Sequence, residues 1–165
     1  PYTTLFRSAP ASAPIPSSFA TAEMSRASAM SRSLSPEFVT RDDIIEFKLD
    51  GMPVNDTRPP YLERYIHGAI YEARPDINAV IHSHAEDILP FGIATGTPLK
   101  PVVHSGSFIG PNVPVWDIAD KFGDTNLLVT NMDQGRDLAK CLASNNVAPV
   151  EPGGATTTHR LSCSG

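Results

Sequence analysis

The closely spaced histidines His82 and His84 have the clearest potential for chemistry in this sequence of 165 residues. On a β-strand, side chains two residues apart project from the same face, so the two imidazoles would stand together while Ser83 faces the other way. Neutral imidazole is a common protein ligand of zinc and suits other transition metals. Because protein zinc sites usually have three or four protein ligands, the pair is incomplete by itself. Without further ligands, the simpler interpretation is two partly exposed histidines at the end of a strand.

Two known kinds of metal-binding barrel fit this pair poorly. A cupin barrel would carry a glutamate several residues after the histidines and then a glycine-rich turn, and Glu86 comes too early for that pattern. An amidohydrolase barrel needs roughly 250 residues, which is more than the chain contains. Neither barrel is therefore predicted.

A strand over 78–84 would carry the two histidines, and a helix is predicted directly before it. Pro59 and Pro60 suit the first turn of that helix, and Pro75 ends it. Glu63 and His67 lie one helical turn apart on a polar stripe. The neighbouring stripe is apolar and predicts a buried face, made of Leu62, Tyr65, Ile66, Ala69, Ile70 and Ala73.

The remaining elements predict an α/β domain. Apolar residues alternate from Ile45 to Leu49, as in a half-buried strand, and Asp50-Gly51 is typical of a hairpin turn. A second helix is predicted over 134–143. Further strand candidates are 101–104, 113–118 and 127–130. Short strands with two or three helices indicate layers around a mixed, largely antiparallel sheet.

Composition excludes several functions. The net charge of -5 and the pI of about 5.4 leave no basic surface for nucleic acid. No apolar run approaches the length of a membrane span, so we expect no membrane association. Two cysteines, Cys141 and Cys163, are too few for a disulfide framework and predict reduced thiols in the cytoplasm. The expected partner is a small-molecule substrate.

Both ends of the sequence lack a helical or strand period. Residues 1–30 are rich in Ala, Ser and Pro and predict a disordered or non-native segment. Residues 31–150 form the predicted domain, and residues 151–165 are expected to be an irregular tail. Because the strand predicted to start at Asn146 loses its continuation there, the domain is predicted to be truncated.

The stretch 61–84 resembles the signature region of the class II aldolase/adducin family. In that family a helix carries a glutamate, an Ala-Arg-Pro-Asp turn follows, and a His-x-His strand comes next. Glu63, Arg74-Pro75-Asp76, His82 and His84 match this pattern in order and spacing. The resemblance continues through Pro101-Val102-Val103-His104 and covers roughly residues 31–150.

The resemblance implies a fold, a cofactor and an activity. The fold would be a three-layer α/β/α domain with a mixed, largely antiparallel sheet. His82 and His84 would bind a divalent metal ion, with Zn expected first and Mn or Mg as alternatives. Glu63 would be the catalytic residue that moves protons, or it would complete the metal shell. The reaction would be carbon–carbon cleavage through a metal-stabilised enolate, in a homo-oligomer that is commonly a tetramer.

Within the family, the sequence is most similar to decarboxylases of hydroxy-carboxymuconic semialdehydes. Sugar-phosphate aldolases of the family carry a phosphate loop where this chain has Ser31-Arg32-Ser33. An arginine between two hydroxyls suits a planar carboxylate, which a guanidinium can bind with two hydrogen bonds. Ser31, Arg32 and Ser33 are therefore predicted to bind a small oxo or hydroxy carboxylate, and a solvated loop charge is the alternative for Arg32.

The chain departs from the family pattern at a third metal ligand. Family members carry a histidine in an Arg-Gly-His-Gly turn, where this chain has Gly153. His159 lies six residues later and is a weak substitute. The alternative to a metal-dependent lyase is therefore a non-catalytic, adducin-like interaction module or an inactive fragment of the lyase.

Overall fold

The computed structural model describes residues 3–4, 28–31, 38–77, 79–94, 96–151 and 154–159. Within these ranges the chain forms seven strands and four α-helices. The strands are β1 (Thr3–Thr4), β2 (Ser28–Ser31), β3 (Ile44–Phe47), β4 (Ala79–Ser83), β5 (Trp116–Asp117), β6 (Val147–Glu151) and β7 (Gly154–His159). The helices are α1 (Arg64–Ala73), α2 (Leu89–Ile93), α3 (Ala119–Phe122) and α4 (Met132–Leu142). None of the helices in the described ranges has the length and apolar character that crossing a membrane would require.

The main sheet has the strand order β1-β4-β7-β6-β5. Three of its neighbouring pairs are antiparallel, and β5 and β6 are parallel. The two remaining strands, β2 and β3, form a separate antiparallel pair. The α/β class and the mixed, largely antiparallel sheet predicted from the sequence are thereby confirmed.

Strand β6 is covered on both faces, which makes the domain three-layered. Adjacent residues on a strand point to opposite faces, and both Val147 and Ala148 are buried. Ala148 joins the core cluster that includes residues of α1 and α4. Helix α2 also packs against β6 and β7.

Helices α1 and α4 pack closely along their apolar faces. Ile66, Ala69 and Ile70 of α1 are fully buried, and Leu138 of α4 lies in the same cluster. The backbones approach where Gly135 meets α1: a Cβ there would lie 2.4 Å from the Tyr65 carbonyl oxygen. Glycine is required at this crossing because any side chain would collide with a main-chain atom.

The start of α4 is fixed by reciprocal hydrogen bonds. Asn131 Oδ1 accepts from the Gln134 backbone N–H at 3.0 Å, and Gln134 Oε1 accepts from the Thr130 N–H at 2.8 Å. Side chains at the cap thus satisfy N–H groups that a helix start would otherwise leave without partners. These polar residues form a cap at Asn131, and the helix begins at the next residue, Met132.

The Arg-Pro-Asp turn between α1 and β4 ties together the ends of two helices. Arg74 donates two hydrogen bonds to the Asp76 carboxylate, both at 2.9 Å. Its third guanidinium nitrogen donates to the Ala143 carbonyl at 2.7 Å, at the end of α4. A planar guanidinium can make these bonds simultaneously. This part of the signature therefore has a structural role, since it sets where β4 begins.

The hairpin predicted at Asp50-Gly51 is present, with a short return. Gly51 has a φ of +80°, which glycine adopts without strain, and Lys48 N–H donates to the Met52 carbonyl at 2.9 Å. Beyond the turn, Pro53 makes only an isolated bridge to Phe47. Ile45 and Phe47 are almost fully buried and form a second small core.

Several predicted boundaries were wrong. Helix α1 begins at Arg64, so Pro59 and Pro60 precede it, and Leu62 is 59% exposed instead of buried. The reason is tertiary: Tyr61 packs against the small core of Ile45 and Phe47, and Arg64 Nε donates to the Gly51 carbonyl at 2.7 Å.

Two of the other strand candidates, 101–104 and 127–130, are not strands, and 113–118 shortens to Trp116–Asp117. Three prolines, at 101, 111 and 114, interrupt this region and remove N–H donors that a sheet would need.

The irregular tail predicted for 151–165 is also corrected, because Gly154–His159 forms β7 between β4 and β6. The overlooked signal is three successive β-branched threonines at 156–158, which favour extended backbone. Thr3–Thr4 is likewise a short strand within residues 1–30, the segment predicted to be disordered. The strand Ser28–Ser31 crosses the end of that segment. The domain limits 31 and 150 themselves stay a prediction.

His67 lies in the core of the domain with no exposed surface. Burial lowers the pKa of His67 well below its ordinary value, and the neighbouring His82 lowers it further. The imidazole is therefore neutral in the folded protein across the physiological range. His67 shares the polar stripe of Glu63 in the sequence, yet its side chain is packed in the core.

Replacing Gly135 with Ala is expected to lower the free energy of unfolding by about 1–3 kcal/mol, because the added methyl group would collide with the Tyr65 carbonyl. Helix propensity acts in the opposite direction and would favour Ala by up to about 1 kcal/mol. Urea unfolding followed by circular dichroism measures the difference. Lys140→Ala, on the exposed side of α4, is the control and should change stability by less than about 0.5 kcal/mol. A Gly135→Ala variant as stable as the parent would contradict the close crossing.

With a chelator present, the protein is expected to lose stability as the pH falls below about 6.5. Histidines of the unfolded chain take up protons there, whereas burial lowers the pKa of His67 and keeps it neutral in the folded state. The unfolded state then binds more protons, so the free energy of unfolding rises with pH, by at most about 1.4 kcal/mol per pH unit for one group. Urea midpoints across this range measure the slope. His67→Gln should have a shallower slope than the parent, and equal slopes would exclude His67 as the cause.

Candidate metal centre

Three chemically active side chains converge where α1 meets β4. Glu63 occupies the N-cap position of α1, His82 lies in β4, and His84 follows the last residue of that strand. The Arg74–Asp76 turn joins the two elements and sets their separation. Among the described residues, these three form the cluster of histidines and acids with the spacing of a metal site.

The ligand atoms of the cluster lie close enough for one cation. One atom from each of Glu63, His82 and His84 lies within 4.8 Å of the others. Glu63 Oε2 is 3.5 Å from His82 Nε2, and the two imidazole rings are 5.0 Å apart at an angle of 85°. Two ligands of a tetrahedral zinc ion are about 3.4 Å apart, as bond lengths near 2.1 Å require. The Glu63–His82 pair already has this spacing, and a ligand atom of His84 lies within 4.8 Å of both partners.

The three side chains of the cluster differ in their exposure to solvent. Glu63 is 8% exposed and His82 is 2% exposed, whereas His84 is open to solvent. A cation held by the two buried groups would therefore be reached from the side of His84. Catalytic zinc sites differ from structural ones in keeping such an open position.

His82 has the electronic state that a ligand needs. Burial lowers the pKa of His82, the Glu63 carboxylate opposes that change, and His84 adds to it. The imidazole is therefore neutral near pH 7 and has a lone pair available for a metal. Oxygen and nitrogen donors together suit Zn²⁺ and other borderline divalent ions.

Tyr61 is a residue of this site that the sequence analysis missed. Its hydroxyl donates a hydrogen bond to Glu63 Oε2 at 3.0 Å. The Tyr61 ring also lies 6.4 Å from the ring of the buried His67. A tyrosine two residues before the catalytic glutamate candidate was the available signal, but its relevance depends on a non-helical turn that periodicity does not reveal.

Other residues considered at the sequence level lie elsewhere or cannot be placed. His104, in the stretch where the family resemblance continues, is exposed in a 3-10 turn and lies outside the cluster. The backbone of Ser31 belongs to β2. Arg32 and Ser33, and also Gly153, lie outside the described residues. The backbone of His159 pairs with Ala79, three residues from His82 along β4.

The chain is similar to proteins whose names include both decarboxylases and aldolases. Residues 29–160 match the class II aldolase and adducin N-terminal domain. The decarboxylase tropJ of Talaromyces stipitatus is 40% identical over 121 residues, which are 70% of this chain and 45% of that protein. L-fuculose phosphate aldolase of Methanocaldococcus jannaschii is 44% identical over 48 residues, covering 29% of this chain and 25% of that enzyme. The chain thus spans less than half the length of these relatives.

Solved structures reproduce the fold. An aldolase II superfamily protein from Pseudomonas syringae superposes with a TM-score of 0.69 at 19% identity, covering 95% of this chain and 57% of that one. L-fuculose-1-phosphate aldolase from Thermus thermophilus gives 0.68 at 13% identity, covering 98% and 70%. The family match covers most of the sequence, and the architecture agrees with it. The chain therefore belongs to the class II aldolase and adducin N-terminal domain family.

Proposed function

We propose that this chain is the metal-binding part of a carbon–carbon lyase of the class II aldolase type. The observation that carries the proposal is the convergence of Glu63, His82 and His84 within 4.8 Å at the junction of α1 and β4. Family membership and relatives named as a decarboxylase and as aldolases support the same reaction class.

The donor set fits a catalytic divalent ion. Two histidines and one glutamate are a combination found in catalytic zinc sites, which keep a further position for water or substrate. With Glu63 completing the metal shell in the resting state, the set reaches three protein ligands without the family's third histidine. Zn²⁺ is the expected ion, with Mn²⁺ or Mg²⁺ as alternatives. Bound there, a divalent ion would act as a Lewis acid on a substrate oxygen and stabilise negative charge.

During the reaction, Glu63 is the proposed proton-transfer group. Carbon–carbon cleavage leaves an electron pair on carbon, and a neighbouring carbonyl delocalises it as an enolate. A carboxylate beside that carbon can remove or return the proton at each end of the reaction. Because Glu63 is 8% exposed, water competes little for its oxygens. Retro-aldol cleavage and decarboxylation both require this proton transfer, so one site can support either reaction.

We propose a small oxo or hydroxy carboxylate as the substrate class. Ser31, Arg32 and Ser33 are the proposed contacts for the substrate carboxylate, as the resemblance implies. A homo-oligomeric assembly and a cytoplasmic location stay predictions of the sequence. The non-catalytic alternative, an adducin-like interaction module, needs no metal, so metal binding distinguishes the two.

His82→Ala and His84→Ala are each expected to weaken Zn²⁺ binding by more than about 100-fold, beyond the loss typical of a residue that only supports a ligand. Isothermal titration calorimetry on the chelator-treated protein measures the affinity. His104→Ala is the matched control, because His104 is an exposed histidine outside the cluster. Equal binding by the parent and by both variants would remove the two histidines from the site. A parent that binds no metal would favour the non-catalytic module or an inactive fragment of the lyase.

Glu63→Gln is expected to slow proton transfer by about 10²–10⁴-fold, because an amide cannot accept the proton that a carboxylate accepts. Deuterium exchange from solvent into the methyl group of pyruvate, followed by NMR at Zn²⁺ concentrations that saturate the parent and each variant, separates this step from metal loss without knowledge of the natural substrate. Glu72→Gln serves as the control, since Glu72 lies on the far side of α1 in an exposed pair with Arg136. Exchange at the parental rate in Glu63→Gln would exclude Glu63 as the proton-transfer group.

A further inference from the structure

One carboxylate oxygen of Glu63 lies between a phenol and an imidazole. Tyr61 Oη donates to Glu63 Oε2 at 3.0 Å, and the same oxygen is 3.5 Å from His82 Nε2. The tyrosine thus contacts the carboxylate atom that faces the histidine. Among the described contacts of Glu63, the hydrogen bond from the Tyr61 hydroxyl constrains the orientation of the carboxylate most directly.

Glu63 lacks the local support that its position in α1 would normally offer. A residue at the N-cap commonly accepts a hydrogen bond from an N–H group of the first helical turn. Glu63 occupies that position without making a side-chain cap bond. Its carboxylate is therefore directed away from the helix end, toward β4, and its orientation depends on contacts with Tyr61 and His82.

Tyr61 is itself held firmly by the second small core. Its ring packs against Ile45 and Phe47, which are 1% and 0% exposed. Its carbonyl accepts from Arg64 Nη1 at 3.0 Å, and Arg64 Nε donates to the Gly51 carbonyl at 2.7 Å. Ring and backbone are both fixed, so the hydroxyl has little freedom to move away from Glu63.

We propose that Tyr61 is a positioning residue that holds the Glu63 carboxylate in place for a cation shared with His82. This role rests on the proposed function, since it assigns the hydroxyl a task at that same metal centre. Groups that hold a metal ligand by a hydrogen bond typically contribute about 10–100-fold to affinity. The hairpin around Gly51 thereby supports the site through Tyr61, although it supplies no ligand.

The test uses Co²⁺ as a probe, because its visible absorption depends on the number and geometry of its ligands. Tyr61→Phe removes the hydroxyl and keeps the ring that fills the small core. It is expected to weaken Co²⁺ binding by about 10–100-fold and to alter the absorption spectrum of the saturated protein. Tyr65→Phe is the matched control, since the Tyr65 hydroxyl accepts from Arg64 and does not contact Glu63. It should bind Co²⁺ as the parent does.

A double-mutant cycle separates positioning from a general loss of packing. If Tyr61 acts through Glu63, Tyr61→Phe has no further effect on Co²⁺ affinity when Glu63 is already Ala. The same loss in both backgrounds would overturn the positioning role and indicate a structural one. An unchanged affinity and spectrum in Tyr61→Phe, with a parent that binds Co²⁺, would overturn this inference alone. A parent that fails to bind Co²⁺ would overturn the proposed function and the inference with it.

Discussion

The approach of Glu63 to His82 is the contact on which the rest of the site depends. It joins the start of α1 to the C-terminal end of β4 through polar groups that are both nearly buried. Removing a carboxylate from water costs free energy unless a charge or a donor compensates for it. The Tyr61 hydroxyl supplies one donor, and a cation bound by the cluster would supply the opposite charge. The packing of α1 against α4 and the Arg74–Asp76 turn hold these groups together despite that cost.

Much of the frame could be predicted because its residues follow simple periods. The apolar stripe of α1, the stop at Pro75 and the alternation in β4 all come from geometry within a single element. The placement of His82 and His84 on one face, at the end of a strand, also follows from geometry within a single element. Glu63 was different: its spacing fits an exposed residue of a helical first turn, and only the family resemblance selected it. Its burial depends on Tyr61 and β4, which lie outside its own helix.

The parts that could not be predicted are those fixed by contacts between distant segments. The chain before α1 stays non-helical because Arg64 and the small core around Ile45 hold Tyr61. Strand β7 has no apolar period in its sequence. Its place in the sheet is set by main-chain pairing with β4 and β6. Arg74 belongs to the recognisable signature, yet its partner at Ala143 lies far along the chain. A local pattern identifies such residues without revealing what they bind.

The place of β7 in the sheet has a consequence for how the chain acquires this fold. Residues of β4 pair with residues of β7 that lie between 72 positions (Ser83 with Ala155) and 80 positions (Ala79 with His159) further along the chain, a separation that raises contact order and slows folding. During synthesis from the N-terminus, β4 emerges well before the segment that pairs with it. One hydrogen-bonding edge of the histidine-bearing strand is open in that interval, and open edges invite association with other chains. Newly made protein therefore passes through an aggregation-sensitive stage that ends when the β6–β7 hairpin closes the sheet.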